Sequence, residues 1–101
     1  MSKTIRLTTA QALVKFLTAQ MTLIDGKKTP IFAGCWAIFG HGNVAGLGEA
    51  LFQVRDTLPT YRGQNEQSMA LSAIAYAKAM NRKRIMVATT SIGPGALNMV
   101  T

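Results

Sequence analysis

One glutamate, Glu66, stands at the head of the stretch EQSMALSAIAYAKAM, whose alanine-rich composition is typical of a helix. On a 3.6-residue period it shares a stripe with small or apolar residues, namely Ala70, Ala73, Ile74 and Ala77. A carboxylate buried in such surroundings needs a hydrogen-bond donor or a shifted pKa. Two interpretations are open: Glu66 has a chemical function, or it lies in the first turn of a helix capped by Asn65, where the helix dipole favours negative charge.

The chain contains one histidine and one cysteine, which limits the catalytic and metal sites it can form. His41 lies between two glycines after an apolar run, where it could transfer a proton or bind a polar substrate; an ordinary loop histidine is the alternative. Its spacing from Cys35, Glu49 and Asp56 is not that of metal ligands, so we expect no metal site. Because Cys35 cannot form an internal disulfide, we expect a protein of the reducing cytoplasm.

Two glycine-rich segments, GHGNVAGLGE and SIGPGALN, could bring backbone N–H groups close to an anion at a helix N-terminus. The first is one residue too long for the dinucleotide-binding motif, and the second lacks the lysine of a P-loop. Neither segment is therefore a phosphate-binding fingerprint, and tight turns are a sufficient explanation of both.

The hydrophobic pattern alternates between helices and strands. A helix capped by Thr8 or Thr9 carries an apolar face of Ala12, Leu13, Phe16, Leu17 and Met21, and the turn LIDGKKTP follows it. The order then continues with a strand in IFAGCWAIFG, a helix over about 47–56 and a short strand at TYR. It ends with a helix from about Asn65 to Met80, a strand in RIMVATT and a helix after SIGPG.

This order predicts an α/β fold with a parallel sheet and helices on both faces. Ligands of such sheets bind at the carboxyl ends of the strands, which here are followed by the loops Gly40 to Gly46, Gly63 to Asn65 and Ser91 to Gly95. Because the alternation stops partway, we expect the chain to be the opening part of a longer polypeptide.

A formal net charge of +7 raises the alternative of a small basic module that binds a polyanion. The basic residues are scattered except for Arg82, Lys83 and Arg84, which fall where a helix should end and where cations complement its dipole. The aromatic residues, which make up 7% of the chain, do not alternate with the basic residues, and no nucleic-acid-binding motif is present. The sequence also lacks an apolar run long enough to span a bilayer, so we expect neither a nucleic-acid nor a membrane partner.

The segment NEQSMALSAIAYAKAMNRKRIMVATTSIGPGALNMVT resembles the pyrimidine-binding domain at the N-terminus of thiamine-diphosphate enzymes, the group that includes acetolactate synthase and related decarboxylases. Ile92 interrupts the family's TSGPG turn, and Asn65 stands where many members have histidine. The matching residues are Glu66, Gln67, Thr90, Ser91, Gly93, Pro94, Gly95 and Asn98.

The resemblance implies that Glu66 binds the aminopyrimidine ring of thiamine diphosphate and favours its imino tautomer, which removes the proton from the thiazolium carbon. It also implies a homo-oligomer, dimer or tetramer, with the cofactor at a subunit interface and with the diphosphate and Mg²⁺ bound by a domain outside this stretch. These 101 residues alone are therefore expected to be inactive.

The segments FGHGNVAGLGEAL and YRGQNEQSMALSAIAYAKA are similar to a branch of the family that hydrolyses a carbon–carbon bond of a cyclic diketone in myo-inositol catabolism. In that branch His41 would have a supporting polar or proton-transfer role. Acetolactate-type carboligation and 2-oxo acid decarboxylation are the alternative reactions of the same cofactor.

Overall fold

The computed structural model describes residues 4–38, 44–91 and 93–100 of the chain. The elements are helix α1 (Thr9–Ala19), strands β1 (Met21–Ile24), β2 (Lys27–Pro30) and β3 (Phe32–Ala37), helix α2 (Glu49–Gln53), strand β4 (Thr60–Arg62), helix α3 (Glu66–Ala79), strand β5 (Ile85–Ala88) and helix α4 (Gly93–Val100). A π-helical segment, Val44–Gly48, leads into α2.

The main sheet is parallel and has β3 at its centre, between β4 and β5. Cys35 on β3 is in register with Thr60 on one side and with Val87 on the other. The central position explains the continuous apolar run of β3, since a strand covered on both faces has no solvent side.

Helices cover both faces of this sheet, which confirms the predicted α/β fold. On one face, α1 and α2 pack against Cys35 and Ala37, which are almost completely buried. The other face carries Trp36 and Tyr61, whose ring centroids lie 5.5 Å apart, and helix α3 packs there against β5. The buried residues of the first layer are Val14, Cys35, Ala37, Ala50, Leu51 and Leu58.

Helix α1 has the predicted cap, but of the predicted face only Leu17 packs against the core. Thr8 and Gln11 form a capping box, in which the Thr8 hydroxyl accepts from Gln11 N at 3.1 Å and Gln11 Oε1 accepts from Thr8 N at 3.0 Å. Val14 is the buried residue of the helix, whereas Phe16 is 59% exposed and Met21 lies in β1. The rest of the predicted face was wrong because Leu17 also belongs to a second apolar stripe with the same helical spacing, Ala10, Val14 and Leu17, and this stripe faces the core.

The segment predicted as a turn after α1 is an antiparallel hairpin of β1 and β2. Asp25 and Gly26 form its tip, with φ angles of 52° and 80°. An Asp-Gly pair is a favoured turn for a two-residue hairpin because both residues tolerate positive φ, so the signal was present in the sequence and was missed.

The second helix is shorter than the predicted 47–56, because regular α-helix is confined to Glu49–Gln53. Gly46 and Gly48 precede it in the π-helical segment, and glycine weakens regular helix. Helix α3 follows the prediction, with Asn65 as its N-cap and Met80 as its C-cap. Helix α4 is present as predicted but begins earlier, at Gly93, so the GPG of the predicted SIGPG turn forms its first residues; proline is well tolerated in the first turn of a helix. The basic residues from Arg82 to Arg84 follow the end of α3, as expected. Within the described ranges, no helix is long and apolar enough to cross a membrane.

Candidate functional site around Glu66

The start of helix α3 holds Glu66 at the carboxyl edge of the sheet. Gly63, just after β4, donates its N–H to the carbonyl oxygen of Ala37 at 3.3 Å, which ties this loop to the end of β3. Asn65 then caps the helix, because its side-chain oxygen accepts from Ser68 N at 2.8 Å. The predicted capping role of Asn65 is confirmed, and Glu66 occupies the first turn.

The Glu66 side chain is buried and hydrogen-bonded across the fold. The residue is 7% exposed, and no other charged residue in the described part of the chain is buried. Its Oε2 accepts from the Ser91 hydroxyl at 2.8 Å and from Ser91 N at 3.2 Å. Within the described ranges, both hydrogen bonds that the Glu66 carboxylate receives from another residue go to Oε2, and no other residue donates to Oε1.

These bonds keep the carboxylate ionised. The Ser91 hydroxyl is the largest cause of a lowered pKa of Glu66, followed by the Ser91 N–H and the N–H of Glu66 itself, while burial acts in the opposite direction. Donors that bind the charged form stabilise it relative to the neutral acid. Glu66 therefore presents a negative charge at neutral pH.

Gly95 in the first turn of α4 allows this close packing. A Cβ atom at Gly95 would lie 2.8 Å from Glu66 Cδ, and it would overlap both Glu66 Oε2 and the Ser91 hydroxyl. The residue is buried, and α4 packs against α3. Only a residue without a side chain fits between the helix backbone and the carboxylate.

The tertiary structure brings together two of the three loops predicted to bind a ligand. The loop from Gly63 to Asn65 leads directly into Glu66, the first residue of α3, and the segment after β5 contains Ser91 and Gly95. His41 and the part of the first loop around it lie outside the described residues.

The apolar stripe predicted next to Glu66 is only partly correct. Ala70 and Ala73 are half-buried, but Ile74 is 52% exposed, and the buried apolar residue of the helix is Met69. The error has a physical reason: α3 packs against β5, β3 and α4, and Ile74 lies on a side of the helix that these elements leave exposed.

The partners of Glu66 were not predicted from the sequence. Ser91 and Gly95 were matched to a family turn, but no contact with the carboxylate was assigned to them. The available signal was topological, since both loops follow the carboxyl ends of strands that neighbour β3 in one parallel sheet.

The Glu66 carboxylate has the chemistry to bind an organic cofactor. No group of three or more His, Cys, Asp or Glu side chains that could hold a metal occurs in ranges 4–38, 44–91 and 93–100. A buried carboxylate with one open oxygen can accept a hydrogen bond from a protonated ring nitrogen, which fits the aminopyrimidine of thiamine diphosphate.

Curated relatives match the chain over nearly all of its length. It is 61% identical over 98 residues, or 97% of the chain, to the 3D-(3,5/4)-trihydroxycyclohexane-1,2-dione hydrolase of Geobacillus thermodenitrificans. It is 58% identical over 100 residues to the protein of that name in Shouchella clausii and 55% identical over 100 residues to the one in Bacillus subtilis, with 99% of the chain covered in each case. No protein-family model matches the chain, and no solved structure does.

The chain spans 15% of the length of the Geobacillus relative and 16% of the other two. The resemblance predicted from the sequence is confirmed at this level, because the similarity includes both the Glu66 helix and the segment that carries Ser91 and Gly95. The chain is thus homologous to one segment of the trihydroxycyclohexanedione hydrolases.

Proposed function

We propose that this chain forms the N-terminal part of the pyrimidine-binding domain of a longer, thiamine-diphosphate-dependent enzyme, and that Glu66 binds the aminopyrimidine ring of the cofactor. The observation that carries the proposal is the state of Glu66: a buried, ionised carboxylate whose Oε2 is anchored by Ser91, while no other residue of the described part of the chain donates to Oε1. The identity of 54–61% to hydrolases of one name supports it.

Thiamine diphosphate supplies a carbanion that can attack a ketone. The residues of this chain would hold the cofactor's ring and keep its surroundings dry. Glu66 would accept a hydrogen bond from a ring nitrogen and stabilise a proton on that atom, and its 7% exposure keeps competing water away from the bond. The diphosphate group and Mg²⁺ would be bound by residues outside this chain.

The names of the relatives suggest the substrate class and the reaction type, hydrolysis of a trihydroxycyclohexane-1,2-dione. We propose that the full-length enzyme cleaves a carbon–carbon bond of this diketone and opens the ring to 5-deoxyglucuronate. Water is the second substrate of this step. We propose further that the enzyme is a homo-oligomer with the cofactor at a subunit interface, and that His41 contacts the substrate or moves a proton.

The test compares two glutamates of the full-length enzyme that occupy similar positions. Glu66 and Glu49 each lie in the first turn of a helix, but Glu49 is exposed. We expect Glu66→Gln to lower thiamine-diphosphate-dependent opening of the cyclic diketone by about tenfold or more, equivalent to roughly 1.4 kcal/mol of barrier. Glu49→Gln should retain wild-type turnover under the same cofactor loading.

Equal turnover of the wild type and Glu66→Gln would contradict the cofactor role and leave Glu66 as a residue of the helix start. If Glu66→Gln loses a thiamine-diphosphate-dependent reaction, but that reaction is acetolactate formation or 2-oxo acid decarboxylation, the cofactor role holds and the proposed substrate is wrong.

A further inference from the structure

We infer that Ser91 is a positioning residue for Glu66: it holds Oε2 from two sides, so that Oε1 is the oxygen offered to the cofactor. This inference rests on the proposed function, since it assigns a role in the same site. Ser91 would not contact the reacting atoms and would act only through the carboxylate.

The two bonds from Ser91 define the orientation of the carboxylate. The hydroxyl donates to Oε2 at 2.8 Å, and the backbone N–H donates to the same oxygen at 3.2 Å. A carboxylate held by one donor can rotate about its terminal torsion, which is a soft torsion in glutamate. Two donors on one oxygen restrict that rotation and determine which oxygen remains open.

Ser91 is itself placed by the sheet. Thr89, two residues earlier, donates its N–H to the carbonyl oxygen of Trp36 at 2.9 Å, which continues the pairing of β5 with β3. Gly95 closes the other side, because its backbone lies against both the Glu66 carboxylate and the Ser91 hydroxyl. The carboxylate is therefore oriented by a segment that is hydrogen-bonded to the central strand and packed against the start of α4, which is the kind of support that a precise functional site requires.

The arrangement also explains why the hydroxyl matters in addition to the backbone N–H. Both bonds are charge-assisted because they share one ionised acceptor, and the hydroxyl bond is the shorter, at 2.8 Å against 3.2 Å for the N–H. Loss of the hydroxyl would leave one longer bond and would free the carboxylate to turn.

The experiment is a double-mutant cycle in the full-length enzyme, with Ser91→Ala, Glu66→Gln and the combined variant. Two quantities are measured: the dissociation constant for thiamine diphosphate on the apoenzyme, and the rate at which the thiazolium C2 proton of the bound cofactor exchanges with deuterium. Ser68→Ala is the matched control, because Ser68 is an exposed serine on the same helix as Glu66. Unfolding midpoints of all variants verify folding.

We expect Ser91→Ala to slow C2 exchange by roughly five- to tenfold and to weaken cofactor binding, while Ser68→Ala changes neither. Ser91→Thr, which retains the hydroxyl, should keep most of the wild-type rate. Ser91→Cys has a similar side-chain size and a much weaker donor, so it should resemble Ser91→Ala and tests the inference if the alanine variant is unstable. In the Glu66→Gln background, Ser91→Ala should have no further effect.

Several results would overturn the inference. If Ser91→Ala and Ser91→Cys exchange at the wild-type rate while Glu66→Gln is slow, Ser91 does not position Glu66, but the proposed function stands. If the Ser91→Ala effect is undiminished in the Glu66→Gln background, Ser91 acts independently of Glu66. If Glu66→Gln itself exchanges and binds cofactor like the wild type, the proposed function fails, and this inference fails with it.

Discussion

Substitution of Gly95 by alanine is a direct structural test of the site. The added methyl group would stand 2.8 Å from Glu66 Cδ and would overlap Oε2 and the Ser91 hydroxyl. Both obstacles are the ends of side chains, so they can move away more easily than backbone can. We therefore expect Gly95→Ala to displace the carboxylate and to leave the helices in place.

The size of the effect follows from the distance. To reach an ordinary contact of 3.4 Å, the carboxyl carbon must retreat by at least about 0.6 Å, and the overlapping Oε2 must move further. Catalytic groups need to be held within about 0.5 Å of their productive position, and a misplacement of about 1 Å can cost roughly a hundredfold in rate. We expect Gly95→Ala to lower turnover of the full-length enzyme by about ten- to a hundredfold.

Gly93→Ala is the matched control for this substitution. Gly93 lies in the same first turn of α4, is exposed, and has no atom within 4 Å of the position that a Cβ would take. Both variants lose the flexibility of glycine in a helix, which stabilises each by roughly 0.5–1 kcal/mol. The difference between them therefore isolates the overlap with Glu66 and Ser91.

The assay is steady-state opening of the cyclic diketone at saturating thiamine diphosphate, together with urea unfolding of each variant. The reasoning would be refuted if Gly95→Ala turned over as fast as Gly93→Ala. A large loss of stability in Gly95→Ala with normal turnover of the folded fraction would equally contradict it, since the backbone and not the carboxylate would then have moved.

Two further predictions concern the core. Leu51 is 1% exposed and packs in the layer between α2 and the sheet, so Leu51→Ala should lower the free energy of unfolding in urea by about 2–5 kcal/mol. The control is Phe52→Ala, which should lower it by less than about 1 kcal/mol because Phe52 is 64% exposed. Equal losses in the two variants would show that this layer is not the core. Burial raises the pKa of the Cys35 thiol from 9.0 to about 11, so the folded state binds the thiol proton more tightly than the unfolded state. The resulting stabilisation is fully present below pH 9.0 and is lost as the pH rises through about 11. The unfolding midpoint should therefore fall between about pH 8 and about pH 10.5, and this fall should be smaller in Cys35→Ala than in the wild type. An identical fall in both would contradict the assigned burial of the thiol.

Local patterns were sufficient for most elements of the fold. The continuous apolar runs around Cys35 and Val87 identified two strands of the parallel sheet, and the caps at Thr8 and Asn65 marked two helix starts within one residue. These features depend on neighbours close in sequence, so composition and spacing are enough to find them. The hairpin at Asp25 and Gly26 belongs to the same class and could have been found.

The packing side of a helix was harder to predict. In α1, the stripes through Leu13 and Val14 have the same spacing, and only the position of the sheet decides that Val14 is buried. In α3, which packs against β5 and α4, Ile74 is nevertheless 52% exposed. Amphipathic spacing shows that a helix has an apolar stripe, but it does not show how much of that stripe another element covers.

The sequence by itself determined the alternating α/β pattern, the helix that begins at Glu66 and the resemblance of its segment to thiamine-diphosphate enzymes. Only the tertiary structure decided what surrounds the carboxylate. Ser91 and Gly95 lie 25 and 29 residues further along the chain, and they reach Glu66 because β4 and β5 flank β3 in one parallel sheet. A contact of this kind depends on strand order and register, which are long-range properties that no local pattern specifies.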